Sequence, residues 1–299
     1  MHLGIIIVNW NVRDLLLACL ESVYADIERS ALAASVCVVD NGSSDDSAAR
    51  VRERFPQAML IESENRGMGA GNNLGLRAVI AAHAPFALLV LNPDTVIQPR
   101  ALWALMHHLR PHPRAGVVAP QLLNPDGSLQ HAGFRFPGLV QAALDLFPPP
   151  GQFYPLVNSP FNGRYPESLY ASGLPFQVEH TLGAAFIVRR EAIEQCGLFD
   201  EAFHMYCEEV DWQWRMARAG WERWIVPAAT ITHYGGQSTS QIPLTSLKNL
   251  WVSRRLLYRR YRSPLTTWLV AQLVRLRFRA DSRVAAKEIL SAWSSQRED

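Results

Sequence analysis

The first ninety residues alternate between short apolar runs and longer stretches with apolar positions three and four apart. Leu3 to Val8 is an unbroken apolar run, the pattern of a strand covered on both faces in a parallel sheet. Helical spacing follows at Leu15, Leu16, Cys19, Leu20 and Val23, with Asn11 placed to cap the start. Val36 to Val39 predicts a second strand, stopping at Asp40-Asn41-Gly42-Ser43-Ser44-Asp45, where Ser43 or Ser44 caps a helix carrying Ala48, Val51 and Phe55. Met59-Leu60-Ile61 predicts a third strand. The run Asn65 to Gly75 leads from it into a helix with Leu74, Ala78 and Val79. Phe86 to Leu91 predicts the fourth, ending at Asn92-Pro93-Asp94-Thr95. Such alternation specifies βαβ units, so the expected class is α/β with a Rossmann-like, mostly parallel central sheet flanked by helices.

Pro99 predicts the first turn of a helix with Leu102, Leu105, Met106 and Leu109, Val117 to Pro120 a further strand, and Gln121 to Ser128 a loop or hairpin. Residues 134–175 interleave prolines with aromatics too densely for a continuous helix or strand, and read as a surface loop or an unordered insert. Regular patterning returns at His180 to Val188. Helices over Arg189 to Gln195 and Glu208 to Ala219 are stopped by Gly197 and Gly220, and strands are expected over Trp221 to Val226 and Ala229 to His233. Most of Trp212, Trp214, Trp221 and Trp224 are expected in the core.

Composition adds a class and a polarity. With 299 residues, 48% hydrophobic and 19% charged, the chain is an ordinary globular one with room for one large or two modest domains. Its four scattered cysteines form no CxxC pair and read as reduced core residues of a cytosolic protein. No apolar run reaches the roughly 18–20 residues that span a bilayer, and Met1-His2-Leu3-Gly4 carries no leader pattern. From Leu244 onward there are 12 Lys/Arg against 4 Asp/Glu, a balance of +8 that leaves −6 on the rest. Leu247, Leu250, Trp251, Leu257, Tyr258 and Tyr261, then Leu265, Trp268, Leu269, Leu273 and Leu276, recur at helical spacing. A basic amphipathic helix pair on an anionic membrane surface fits this pattern, and a helical cap or dimer interface is the alternative. A nucleic-acid arm would carry the charge without so regular an apolar face. The expected organisation is a domain over 1–243, in halves 1–120 and 121–243, with a helical tail over 244–299. The expected place is the cytoplasmic face of a membrane, held peripherally.

Asp40 and Asp94 both follow strands, where an open α/β sheet collects its ligands. The first can accept hydrogen bonds from a ribose or base, and the second can hold a divalent cation on a diphosphate. The glycine-rich run Asn65 to Gly75 permits close backbone approach to an anion. It is neither a GxGxxG after strand one nor a GxxxxGK[ST] loop, so dinucleotide and ATP-hydrolysing readings fall. Glu208, Glu209 and Asp211 crowd one helix start, where one of the three can be left with a raised pKa suited to base work. His233 follows an apolar strand and is either a turn residue or a metal or phosphate contact.

Taken in order, these stretches resemble glycosyltransferase family 2 with the GT-A fold, its bacterial rhamnosyltransferase-type members most of all. The carriers are Ile7 to Asn11, Val38 to Asp45, Asn65 to Gly75, Leu91 to Thr95, Leu182 to Arg190, Gly197 to Phe203, Glu208 to Asp211 and His233 to Gly236. The resemblance implies nucleotide-sugar contacts from Val8, Asn9, Asn11, Asp40, Asn65, Gly67, Asn72 and Asn92. It implies Mg²⁺ or Mn²⁺ on Asp94 and His233, with Asn92 standing where the family has the first acid of its Asp-X-Asp motif. It also implies a general base among Glu209, Glu208 and Asp211, Glu209 matching the usual position. The implied reaction is inverting transfer from a dTDP- or UDP-sugar, L-rhamnose foremost, to a polyprenyl-diphosphate-linked glycan. A nucleotidyltransferase would share the fold but carry a basic glycine-rich loop after strand one. A non-catalytic sugar-binding relative would have lost these acids.

Overall fold

The computed structural model describes residues 1–237, 241–281 and 283–294; the rest of the expected tail lies outside them. The first part follows the hydrophobic pattern: β1 (His2–Asn9), α1 (Arg13–Arg29), β2 (Ala33–Asp40), α2 (Ser47–Arg54), β3 (Met59–Glu62), α3 (Met68–His83) and β4 (Ala87–Leu91). After β4 come β5 (Thr95–Ile97), α4 (Ala101–Leu109), β6 (Ala115–Leu123) and β7 (Leu129–Gln130). Residues 134–175 break into short pieces: β8 (Gly133–Phe134), α5 (Leu139–Leu146), two 3₁₀ turns and α6 (Glu167–Ala171). Then follow β9 (Phe176–Gln177), β10 (His180–Thr181), β11 (Ala185–Arg189), α7 (Arg190–Cys196), α8 (Glu208–Arg218) and β12 (Glu222–His233). Three helices close the described chain: α9 (Pro243–Tyr261), α10 (Pro264–Phe278) and α11 (Val284–Ser294).

The main sheet runs β3-β2-β1-β4-β11-β6-β12-β5. Its first four strands are parallel, as are β6 and β12, while β11 lies antiparallel between β4 and β6. The two strands expected over 221–233 are one. Pro227 cannot donate to the ladder, and the register slips between Val226 and Thr230 without ending the strand.

Glycine fixes how closely α3 lies on this sheet. A Cβ at Gly71 would come 2.8 Å from Val8 Cγ1, and one at Gly75 2.6 Å from Ile6 Cγ2. Much of the glycine-rich run therefore serves helix-on-strand packing, which the sequence alone could not separate from anion binding. The expected caps are also reassigned. Asn11 adopts φ 52 and holds the Ser44 N–H (2.7 Å), while Asp45 accepts from the first N–H of α1 (2.8 Å) and from that of α2 (3.2 Å).

The C-terminal helices are built into the molecule. Leu257 of α9 packs with Phe203, Cys207, Val210 and Trp214. Trp251 and Tyr258 join α5, α10 and α11 in a second core of Ala142, Leu146, Val270, Val274, Phe278, Ile289 and Trp293. The apolar side of α9 is thus turned inward. Among the described residues no helix is long and apolar enough to cross a membrane.

Candidate active site

A cleft of about 260 Å³ opens at the carboxyl ends of β1 and β4 and is walled by α3, α8 and the segment after β12. Asn92 sits at its floor because the ladder continues past Leu91, the Asn92 N–H donating to the Ala184 carbonyl of the strand alongside (2.8 Å). The chain turns at Pro93 and re-enters the sheet as β5, antiparallel to the end of β12, with Thr95 opposite His233. That pairing, continued by the Tyr234 N–H to the Asp94 carbonyl (2.9 Å), brings Asp94 and His233 together.

His233 Nε2 lies 3.4 Å from Asp94 Oδ1. On the other side of the ring, Nδ1 is 2.7 Å from Gln130 Oε1. The Gln130 amide nitrogen donates to Asn124 Oδ1 (3.0 Å), which keeps its oxygen toward the imidazole. A ring nitrogen facing that oxygen must donate, so the neutral imidazole presents a lone pair at Nε2. Nε2 is buried and has no hydrogen-bond partner among the described residues. Two lone pairs facing each other repel, and a shared proton or a divalent cation held by both side chains would relieve that repulsion. The pair fits a divalent ion. No third His, Cys, Asp or Glu joins them among the described residues, which leaves the remaining positions to water and to ligand oxygens.

Glu208 and Glu209 line the same cleft at the start of α8. Glu209 lies over Gly183, where a Cβ would sit 3.3 Å from its carboxyl carbon. Burial pushes both carboxyls above the ordinary glutamate range, and the neighbouring charge of Glu209 raises Glu208 further. Glu208 Oε2 is buried without a hydrogen-bond partner among the described residues. The turn that presents them is strained: Tyr206 and Cys207 have φ 67 and 66, and neither is glycine. It is held from α9, whose Ser253 hydroxyl donates to the Met205 carbonyl (2.8 Å).

Asp211 stands apart from the cleft. It is fully buried, with Oδ2 accepting from Arg215 Nε (2.9 Å) and Oδ1 accepting from the Tyr261 hydroxyl (2.7 Å) and from Arg260 (3.2 Å). Its position ties α8 to α9.

Of the expected nucleotide-sugar contacts, Val8, Asn65, Gly67, Asn72 and Asn92 line the cleft. Asn9, Asn11 and Asp40 do not line it and are bonded instead into the Ser43–Ser44 turn. Asn9 Nδ2 donates to Asp40 Oδ1 (3.1 Å) and to Ser43 Oγ (3.0 Å), and the Ser43 N–H donates to Asp40 Oδ2 (3.0 Å). Gly67 has φ 97 and starts α3, and a Cβ there would fall 2.1 Å from the His204 carbonyl oxygen. Trp10, Asn41, Tyr206 and Gln130 were not singled out from the sequence. The first three line the cleft and the fourth orients His233. Trp10 and Asn41 stand inside quoted motifs, but nothing in the sequence around Gln130 points to the histidine. His180 is a core residue, stacked on Phe134 and Phe136, where burial lowers its pKa to about 4. Trp212 and Trp214 are buried, as expected.

Residues 2–263 match the family model described as glycosyltransferase like family 2. The N-acetylglucosaminyl-diphospho-decaprenol L-rhamnosyltransferase of Mycobacterium tuberculosis is 33% identical over 71% of this chain and 70% of its own. The low-salt glycan biosynthesis hexosyltransferase Agl10 of Haloferax volcanii is 27% identical over 72% of this chain and 62% of its own. Among solved structures, the Pyrobaculum calidifontis mannosyltransferase PcManGT with GDP-Man and Mn²⁺ superposes with a TM-score of 0.56 at 16% identity, over 97% of this chain and 78% of that one. GalNAc-T7 with UDP, GalNAc and Mn²⁺ gives 0.57 at 15% identity, over 77% of this chain but 42% of its own. By this match and this sheet, the chain belongs to glycosyltransferase family 2 and has the GT-A fold.

Proposed function

We propose that the cleft transfers a sugar, with inversion, from a nucleoside-diphosphate donor to a hydroxyl of a lipid-linked glycan, and that it works with Mg²⁺ or Mn²⁺. The observation that carries this reading is the unpartnered Nε2 of His233 facing Asp94 in the cleft that also holds Glu208 and Glu209. Asp94 and His233 would hold the ion, whose positive charge, when bound, offsets the charge gathering on the departing diphosphate. The nucleoside end belongs at the β1–β2 edge, against Trp10 and Asn41.

Glu209 is the proposed base. Its ionised carboxylate takes the proton of the acceptor hydroxyl as that oxygen attacks the anomeric carbon, and the bond to the diphosphate oxygen breaks on the opposite face. The desolvated, raised carboxyl keeps proton affinity suited to an alcohol that becomes acidic only in the transition state. Gly183 gives Glu209 its place, and Glu208 beside it, its carboxyl pushed up to about 8, keeps its proton and leaves the charge to Glu209. The rhamnosyltransferase relative supports L-rhamnose as the sugar moved and a polyprenyl-diphosphate-linked N-acetylglucosamine as acceptor. An acceptor anchored in a bilayer supports work at a membrane surface.

Nucleoside-diphosphate release across nucleotide sugars, with and without Mn²⁺, tests the reading. Turnover is expected only with the ion, and it should fall by at least about a hundredfold in D94A and in E209Q. Turnover unchanged by both substitutions would overturn the assignment.

A further inference from the structure

Helix α10 has more apolar surface than the fold uses. Val270, Val274 and Phe278 face inward and close the second core. At about 100° per residue, Leu265, Trp268 and Leu276 fall on the opposite side. They are 66%, 57% and 50% exposed. Large apolar residues left in water along a whole helix face mark a surface that meets something else.

The same side is strongly basic. Arg255 and Arg259 of α9, Arg262 just past its end and Arg275 of α10 line a groove of about 620 Å³, and Trp268 stands in its wall. From Leu244 to Arg279 the chain has nine basic residues and no acidic one. Leucine and tryptophan flanked by arginines, without an acid among them, complement a surface apolar below and anionic above.

We infer that the outward side of α10, with the arginine groove beside it, docks on an anionic phospholipid surface. Leu265, Trp268 and Leu276 enter the boundary of the acyl chains, and Arg255, Arg259 and Arg275 take lipid phosphates, while Arg262 is held by the Pro137 and Phe136 carbonyls. The inference rests on the membrane-proximal reading above but not on the identity of the sugar. It also gives the linkage to α8 a consequence. The helix that lines the groove is bonded through Arg260 and Tyr261 to Asp211, one turn from the Glu208–Glu209 pair. Docking therefore sets how the cleft is presented to an acceptor held in the bilayer.

Flotation of the full chain with vesicles of phosphatidylcholine alone, or with added phosphatidylglycerol, is the test. The wild type should float with the anionic vesicles and be released by high salt. Arg259→Gln with Arg275→Gln should weaken that binding by about fivefold per charge removed, some twentyfold to thirtyfold together. Trp268→Gln with Leu276→Gln should weaken binding to both vesicle types by about tenfold. Both pairs should keep the wild-type melting temperature and turnover on a soluble acceptor. Failure of the wild type to float with either vesicle type would overturn the membrane reading and this inference together. Flotation of the wild type with both variants unimpaired would overturn only the docking face. So would a solution dimer that the tryptophan–leucine pair splits, since it would assign the face to a second copy.

Discussion

Asp211 is where two roles for one carboxylate separate cleanly. A proton acceptor must reach the cleft, whereas the structure spends both oxygens of Asp211 on Arg215, Arg260 and Tyr261. D211N removes the charge and one of the two acceptor oxygens, so either Arg215 Nε, whose other nitrogens keep the Cys196 and Leu198 carbonyls, or the tyrosine hydroxyl loses its buried partner. Arg260 suffers less, being 35% exposed and also paired with Asp200 at 2.6 Å. Breaking such a buried group costs about 3–5 kcal/mol, and discounting Arg260 brings D211N toward about 3 kcal/mol. For a chain of this size that lowers the melting temperature by roughly 6–12 °C. Tyr261→Phe removes one hydrogen bond and should cost about 1–1.5 kcal/mol, less than additively with D211N because the two share a contact. The assay is thermal and urea unfolding beside kcat measured well below the transition. The expected result is a destabilised D211N that keeps kcat within about tenfold. A D211N of wild-type stability whose kcat falls by orders of magnitude would refute the assignment and make Asp211 the base.

Three further outcomes follow from the site. The raised carboxyls mean the folded state binds more protons than the unfolded chain between the ordinary glutamate value and the raised one, so stability falls as pH rises through that window. E208Q should therefore be more stable than wild type above it, read by pH-dependent denaturation. Gln130→Leu leaves His233 Nδ1 without its acceptor and should raise the Mn²⁺ concentration for half-maximal activity by about 10–100-fold, read from a metal titration. Gly67→Ala forces a Cβ toward the His204 carbonyl at a left-handed φ, and should cost at least about 1–3 kcal/mol in urea unfolding while raising KM for the donor.

The hydrophobic pattern carried the first half of the fold because parallel strands buried on both faces read as unbroken apolar runs, and β1 to β4 fall where those runs lie. It located the acids for the same reason, since Asp40 and Asp94 close such runs. It could not say which face each side chain takes. Asp94 lines the cleft beside His233 because β5, turning back at Pro93, pairs with the end of β12, whereas the Asp40 carboxylate is taken up by Asn9 and Ser43. Nor could spacing rank Glu208, Glu209 and Asp211. They share a helix start, and the decision comes from α9, far along the chain, which supplies Arg260 and Tyr261. The apolar residues after Leu244 were legible as helical, but α9 and α10 each had two sides to choose from. Packing turned that of α9 inward and left one side of α10 exposed.

Mn²⁺ binding followed by electron paramagnetic resonance with a nucleoside diphosphate present tests most directly the proposal that Asp94 and His233 would hold the ion. The wild type should take up one Mn²⁺, and D94A and H233A should each bind it at least about tenfold more weakly while melting as folded proteins. Equal uptake by the wild type and by a chain lacking both side chains would contradict the account.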